Sequence, residues 1–329
     1  MKTMIINGKE VMEVMDMKDV IDAVRSAYIS FSRGNVFLPP IVSLDIEEHH
    51  GEMDFKTGYS KGDEIIGIKM AAGYYNNPQK YGLPSGIATI CLIDAKNAVP
   101  LCILDGTEIT TYRTAAAGAL AASVLARKDS KHVGVIGTGS QAKMQVVALK
   151  YMFNIESVNV WGIEGLDEYV QQMRKILPEV EFQACPDSHS AVKDSDIIIT
   201  ATASHSALVE KRSIKPGTHI NAIGCDMDGK QELDPEIFRM AKIVNDNIKE
   251  CVKRGDTQHP IKAGIITAED IHAEIGQILL GEKAGRTCEE EITIFDTTGM
   301  SIQDIATSLM VYKKVKEKGL GMAIDIISG

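Results

Sequence analysis

The sequence predicts an α/β protein of two units: a doubly wound parallel sheet, and a discontinuous α+β unit assembled from both ends of the chain. Three observations predict this. From residue 132 onward, short apolar strands alternate with helical segments, a pattern that requires right-handed crossovers and a parallel sheet covered on both faces. A glycine-rich turn stands directly after the first of those strands and opens a helix. The flanking segments are of another style, and 329 residues exceed what one core comfortably holds. The boundaries are expected at 1–125 with 301–329 for the discontinuous unit, and at 126–300 for the parallel sheet.

Within the first segment, apolar positions recur at helical spacing through Met17–Tyr28, so much of 10–35 is expected to be helical. Leu38-Pro39-Pro40 ends that region and starts an extended one. Strands are expected at Ile41–Asp45, Ile65–Met70 and Ile87–Ile93, with Asn76-Asn77-Pro78 a loop between the last two. The Ala-rich run Thr107–Arg127 reads as a helix. In the second segment the expected order is strand His132–Ile136, helix Ala142–Met152, strand Ser157–Trp161, helix Asp167–Ile176 and strand Glu181–Ala184. Helix Ser188–Val192, strand Asp196–Thr202, strand His219–Ile223 and strand Ile243–Asn245 follow. The chain closes with one amphipathic helix, Ser301–Lys318, capped by Ser301, stopped at Gly319 and packed back on the first segment.

Composition narrows the function. Hydrophobic residues are 44% and charged residues 24%, with a formal net charge of −10. No Lys/Arg-rich run is present, so neither nucleic acid nor an anionic membrane is an expected partner. Six scattered cysteines without a CxxC pair read as reduced thiols. The first residues do not resemble a signal peptide, and no run approaches the ~18 apolar residues of a membrane span, so the expected compartment is the cytoplasm. The eight histidines show no metal-ligand spacing, and no metal is expected.

The turn reads Gly137-Thr138-Gly139-Ser140-Gln141-Ala142, a G-x-G-x-x-A string. The first glycine permits the tight turn, and the second lets backbone approach a pyrophosphate. The small alanine lets helix and strand pack closely, while the helix N-terminus offers free N–H groups. In this strand–turn–helix context the string marks a Rossmann-type dinucleotide site. The acid that holds a ribose should end the next strand. There Gly162 occupies the usual position and Glu164 follows two residues later. Glu164 either reaches the 2′-OH, which favours NAD over NADP, or is a solvated loop acid; no Arg stands close by to hold a 2′-phosphate.

Four segments place polar groups where apolar ones would be expected. Lys69 stands inside an apolar strand; it is either a desolvated acid/base or carboxylate ligand, or an edge-strand lysine in water. Arg113 and Thr114 open the Ala-rich helix, where an Arg fork suits a carboxylate or phosphate, or pairs with a structural acid. Asp226 lies just past the carboxyl end of a strand, where ligands of such sheets bind, as an acid/base or ammonium partner or a loop cap; Asp228, beside Gly229, reads as a turn residue. Phe295–Met300 ends the last strand, and Gly299 with the hydroxyls of Thr297 and Thr298 suits close approach to a ring such as nicotinamide. There is no GxSxG elbow, P-loop or HExxH.

Taken together, GIKMAAGYYNNP (67–78), GLPSGIATICLID (82–94), TEITTYRTAAAGALAA (107–122), GVIGTGSQA (134–142), HINAIGCDMDGKQEL (219–233) and FDTTGMSIQDIA (295–306) resemble the ornithine cyclodeaminase/mu-crystallin family over most of the chain. The resemblance implies a homodimer with a split substrate/dimerisation domain and a Rossmann-type domain. It implies that Lys69 is the active-site lysine, that Arg113 lies near cofactor phosphate or substrate carboxylate, and that Asp226 is the catalytic acid. It also places Lys230 near the cofactor and assigns Gly137, Gly139, Ser140 and Gln141 to the dinucleotide turn. One departure stands out. Relatives often carry a basic residue shortly after the Pro-rich segment, where this chain has Ile41; Lys56 is another basic position that can compensate in substrate binding. The leading expectation is an NAD-dependent cyclodeaminase, taking ornithine to proline and ammonia through transient hydride transfer at Cα. The alternative is an NAD(P)H-dependent imine reductase or alanine-type dehydrogenase. A crystallin-like binding protein without turnover is the third.

Overall fold

The computed structural model describes residues 2–74 and 76–327. In chain order its elements are β1 (Thr3–Ile6), α1 (Gly8–Val14), α2 (Met17–Ser32), β2 (Val36–Phe37), β3 (Val42–Ile46), β4 (Gly51–Ser60), β5 (Ile65–Tyr74), α3 (Asn77–Tyr81), β6 (Gly86–Asp94), β7 (Pro100–Asp105) and α4 (Thr107–Leu125). Then come β8 (His132–Ile136), α5 (Ser140–Leu149), β9 (Ser157–Trp161), α6 (Leu166–Ile176), β10 (Glu181–Ala184), α7 (Ser188–Val192), β11 (Ile197–Thr200), β12 (His205–Val209) and β13 (His219–Ala222). The chain continues through β14 (Gln231–Leu233), β15 (Ala241–Asn245), α8 (Ile248–Arg254), α9 (Gln258–Lys262), β16 (Ala273–Glu274), α10 (Ile275–Leu279) and β17 (Ile292–Asp296), and ends with α11 (Ser301–Glu317) and β18 (Met322–Ile324).

Two compact units result: Met1–Arg113 with Met300–Gly329, and Thr114–Gly299. The first boundary falls inside α4 and not at its end near 125, where the change of sequence style lies. Hydrogen bonds explain this. The Thr114 carbonyl accepts from Gln145 Nε2, the Gly118 carbonyl from Asn221 Nδ2, and the Leu125 carbonyl from Arg286 Nε and Thr293 Oγ1. The Ala-rich part of α4 is thereby tied into the second unit.

The first unit is built on a mixed sheet in the order β18-β1-β7-β6-β5-β4-β2, with β3 also on β4. Helix α11 packs on α2 and on β4 and β5. Two glycines make that contact possible. A Cβ on Gly67 would stand 2.2 Å from Ile305 Cγ1, and one on Gly58 would stand 2.6 Å from Ser301 Oγ. Side chains alternate across a strand, so Gly67 and Lys69 face the helices while Ile66, Ile68 and Met70 face the other way. Cys91, Ile93 and Ile103 are their cross-strand neighbours on that same open, half-buried face.

Several local expectations are corrected here. Asn77–Tyr81 is a short helix and not a loop, because Pro78 sits in its first turn, where no N–H is needed. The first helical region breaks at Met15-Asp16, whose aspartate caps α2, and ends at Gly34 (φ 69°), before the prolines. Ser301 is the first residue inside α11 and not its cap; its hydroxyl donates to the Thr57 carbonyl at 2.7 Å. Strand β4 has no counterpart in the sequence reading. Its run GEMDFKTGYS does alternate, with Met53, Phe55 and Tyr59 set against Glu52, Asp54 and Lys56, but the buried positions of its second half are Lys56, Gly58 and Ser60 and not the apolar ones.

The second unit carries a parallel sheet in the order β10-β9-β8-β11-β13-β17-β15-β16, an α/β fold of the doubly wound kind. The order reverses between β8 and β11, so the crevice at their carboxyl ends is the topological switch point at which ligands of such sheets bind. Ile136, Ile198, Ile220 and Ile294, all essentially unexposed, form the core on four successive strands. Among the described residues, no helix is long and apolar enough to cross a membrane.

Candidate active site

In the first unit, neighbouring strands put two lysines side by side: Lys56 of β4 is the cross-strand partner of Lys69 on β5. Both are buried, at 7% and 2% exposure. Strand β5 is interior to the sheet, so Lys69 is not an edge lysine in water. Its Nζ lies 3.0 Å from Asp304 Oδ1 in a hydrogen bond and 2.9 Å from Oδ2 in ionic contact. Arg113, on α4, donates through Nε to the same Oδ1 at 3.0 Å and through a terminal nitrogen to Gln303 Oε1 at 3.2 Å. Gln303 in turn donates to the Tyr28 hydroxyl at 2.8 Å.

The electrostatics follow from burial. Desolvation pulls the Lys69 pKa down to about 7, with Arg113 and Lys56 pushing the same way and Asp304 opposing. Burial alone would raise the Asp304 carboxyl, yet Arg113 and Lys69 beside it hold it below the ordinary carboxylate value. Three cationic side chains thus gather around one buried carboxylate, an arrangement suited to an additional anion. The lysine at its centre carries a proton that can be gained or lost near neutral pH.

In the second unit the glycine turn is as its sequence requires. Gly137 has φ +116°, and a Cβ there would stand 2.5 Å from the Ala201 carbonyl. Gly139 has ordinary extended angles, and a Cβ on it would meet nothing within 4 Å. The first glycine is therefore demanded by the chain, whereas the second leaves space that the chain does not use. That space lies at the start of α5, which has no side-chain cap, so its first N–H groups are open to an acceptor. The cradle fits a dinucleotide pyrophosphate. Ser140 is the first residue of α5, and Gln141 Oε1 is buried without a hydrogen-bond partner among the described residues. Thr138 donates its hydroxyl to the Glu164 carbonyl at 2.8 Å, fixing the loop after β9, while the Glu164 side chain is exposed. Thr114 is buried, with its carbonyl held by Gln145.

Past the end of β13, Lys230 Nζ donates to Asp226 Oδ1 at 2.8 Å. The Asp226 side chain is half exposed and Lys230 nearly buried. Gly229 turns the loop at φ +81°, and exposed Asp228 pairs with Lys262 at 2.6 Å. Gly299 (φ +77°) donates its N–H to Asp246 Oδ2 at 2.9 Å, and Thr297 Oγ1 donates to the same oxygen at 2.6 Å.

Sequence reasoning did not single out several of these residues. Asp304 and Gln303 join Lys69 and Arg113, although nothing in an amphipathic helix marks them. Beneath the Asp226 loop lie the fully buried carboxyls of Glu232, Asp256 and Asp296. Glu232 accepts from Thr202 N and Oγ1 and from Gly224 N, tying the ends of β11 and β13. Asp256 accepts from the Glu232 and Leu233 N–H groups, and Asp296 from the Asp256 and Thr257 N–H groups. Desolvation pushes Glu232 and Asp296 up to about 7 and Asp256 well above its ordinary value. Among the described residues, no group of three or more His, Cys, Asp or Glu is arranged to hold a metal.

A doubly wound unit with a pyrophosphate cradle, in one chain with a split unit bearing a buried Lys–Asp–Arg cluster, defines the class as a dinucleotide-fold protein with an anion-receptive site. The comparisons with known proteins resolve the class further. Residues 1–319 match the ornithine cyclodeaminase/mu-crystallin family, and the chain belongs to that family. It is 36% identical over 327 residues to an alanine dehydrogenase of Archaeoglobus fulgidus, covering 98% of each chain. Among solved structures, the Delta(1)-pyrroline-2-carboxylate reductase of Thermococcus litoralis, in complex with NADH and L-proline, superposes with a TM-score of 0.94 at 34% identity, covering 98% of this chain and 100% of that one. An archaeal alanine dehydrogenase dimer with bound NAD gives 0.93 at 35% identity, covering 99% and 100%.

Proposed function

We propose that the protein is an NAD(H)-dependent reductase or dehydrogenase acting at the carbon–nitrogen bond of an α-imino or α-amino acid. The observation that carries this is the Lys69–Asp304–Arg113 cluster with Lys56 alongside. A substrate carboxylate meets cationic partners there, whereas a second ammonium group, such as the distal amine of ornithine, meets repulsion. The relatives just named support the same choice, so the order of the two enzyme readings is reversed: imine reduction or amino-acid oxidation first, cyclodeamination second.

Reducing C=N to CH–NH adds a hydride to carbon and a proton to nitrogen. The nicotinamide supplies the hydride when bound, and Gly137, Gly139, Ser140 and the α5 N-terminus hold its pyrophosphate. Arg113 and Lys56 orient the carboxylate with help from the Lys69 charge, and Lys69, poised near neutrality, gives or takes the proton at nitrogen. Asp226, half exposed at the sheet's carboxyl end, is the second acid/base candidate and is held by Lys230. The test is NADH consumption with Delta(1)-pyrroline-2-carboxylate and with pyruvate plus ammonia, set against proline formation from ornithine with catalytic NAD⁺. NADH loss with the imines supports the reading; proline and ammonia from ornithine without net NADH restores the cyclodeaminase.

We also propose a homodimer paired through one sheet face of the first unit, where Ile66, Ile68, Met70, Cys91, Ile93 and Ile103 form a half-buried apolar surface opposite the face that carries Gly67 and Lys69. Ile68→Asp, which buries a charge in that interface, is expected to sediment as a monomer while the unsubstituted protein sediments as a dimer.

A further inference from the structure

We propose that Asp304 is a positioning residue, which keeps the Lys69 side chain in its ammonium form and in one place while Gln303 holds Arg113 beside it. This rests on the reading of Lys69 as the proton-bearing group, and it adds a residue that the sequence did not mark.

The geometry is specific. Asp304 is 1% exposed, and Lys69 Nζ reaches both of its oxygens. Arg113 Nε shares Oδ1, so one carboxylate fixes both cations at 3.0 Å. The adjacent Gln303 accepts from Arg113 and from the Met300 N–H at 2.8 Å, and donates to Tyr28. The two residues sit in the first turn of α11, where the helix dipole favours a negative charge. A run of polar contacts therefore leads from Tyr28 on α2 through α11 and α4 to Lys69 on β5.

Each element around Lys69 contributes differently. Strand β4 brings Lys56, and α4 brings Arg113 and the uncharged Thr110 hydroxyl at 3.5 Å. Strand β6 brings uncharged Ile90, and α11 brings Asp304. Burial, Lys56 and Arg113 all favour the neutral amine; Asp304 opposes them. Without that carboxylate the amine has already lost its proton below the neutral range, and the proton needed at the substrate nitrogen is absent when the substrate arrives.

The test is a difference titration that needs no turnover. Protons bound by the folded unsubstituted protein are compared with those bound by Lys69→Met, and those bound by Asp304→Asn with Asp304→Asn/Lys69→Met. Each difference isolates Lys69. The expected midpoint is about 7 with Asp304 present and lower by about one to three units without it, the range over which an adjacent opposite charge acts. Asp304→Glu, which keeps the charge but displaces it, shifts the midpoint less and in the same direction, and it serves where Asp304→Asn does not fold. Coincident midpoints in all backgrounds overturn the proposal. In parallel, the pH dependence of kcat/KM for Delta(1)-pyrroline-2-carboxylate with NADH is measured. A limb that moves with the titration midpoint supports both ideas. A midpoint that moves while the limb stays supports the role of Asp304 and removes Lys69 as the proton-bearing group.

Discussion

Replacing Gly139 with valine puts a branched side chain into space that the chain leaves empty, and the expected result can be worked through. Its backbone angles, φ −71° and ψ −178°, are open to any residue, and no atom lies within 4 Å of a Cβ there. Losing glycine's freedom in the unfolded chain stabilises by about 0.4–1 kcal/mol, and a poorer N-cap costs about 0.5–1 kcal/mol. These offset, so folded stability changes by less than about 1 kcal/mol. Binding behaves otherwise, because the added methyls occupy the approach to the pyrophosphate. The expected loss is about 100-fold in NADH affinity, or about 2.8 kcal/mol at about 1.4 kcal/mol per decade. Gly137→Ala is the control of opposite character: at φ +116°, with the Ala201 carbonyl 2.5 Å from the new Cβ, it destabilises the fold by about 1–3 kcal/mol. Trp161 provides the assay. It is the single tryptophan, and its carbonyl accepts the Gly137 N–H at 2.8 Å, so its fluorescence reports NADH titration and urea unfolding alike. Unaltered NADH affinity in Gly139→Val would refute the assignment of this turn to the dinucleotide.

Gly67→Ala drives a methyl to 2.2 Å from Ile305 Cγ1 and is expected to cost about 1–3 kcal/mol in urea unfolding, with part recovered in Gly67→Ala/Ile305→Ala. Asp226→Asn is expected to leave NADH binding intact and lower turnover by about 100-fold, the scale of losing a general acid/base; near-normal turnover removes Asp226 from the chemistry. The buried acids set a pH slope. Glu232 and Asp296, raised to about 7, bind more protons folded than unfolded between their ordinary values and about 7, so stability falls as pH rises through that window. Asp256→Asn removes one of the mutually repelling carboxyls and flattens the slope of urea midpoint against pH; a slope that is unchanged or steeper contradicts this account.

The parts of the structure legible in the sequence are those encoded locally. The turn 137–142 announces itself because three small residues and a strand–helix junction are contiguous. Strand β8 is legible as an apolar run, and β9 and β10 by the alternation of polar and apolar residues, each bounded by turns. Lys69 and Arg113 are visible as polar residues set in apolar or Ala-rich surroundings. What topology assembles is not legible in that way. Asp304 lies 235 residues from Lys69 and in isolation reads as an ordinary acid of a surface helix. Glu232, Asp256 and Asp296 are each unremarkable loop or strand-end acids until the sheet order brings their segments together. Strand β4 alternates, with Met53, Phe55 and Tyr59 on one side, but it inverts the usual code: the side that packs on α11 carries Gly58, which admits the helix, and Lys56, which joins the cluster.

That cluster also argues about substrate charge. Burying two lysines and an arginine around one carboxylate opposes folding, since desolvation of each ion costs several kcal/mol and is offset only by good pairing. Part of the cost is visible in the Lys69 pKa, depressed to about 7. A bound carboxylate favours the charged lysine, so binding and protonation are linked: the complex takes up a proton wherever free Lys69 is neutral. Pyruvate affinity is therefore expected to be flat below about pH 7 and to fall by up to about tenfold per pH unit above it. Calorimetry in two buffers of different ionisation enthalpy measures both the affinity and the proton uptake. Affinity that stays constant from roughly pH 6 to pH 9 with no proton uptake would mean that the anion is held by Arg113 and Lys56 alone, leaving Lys69 free for the proton but not for the carboxylate.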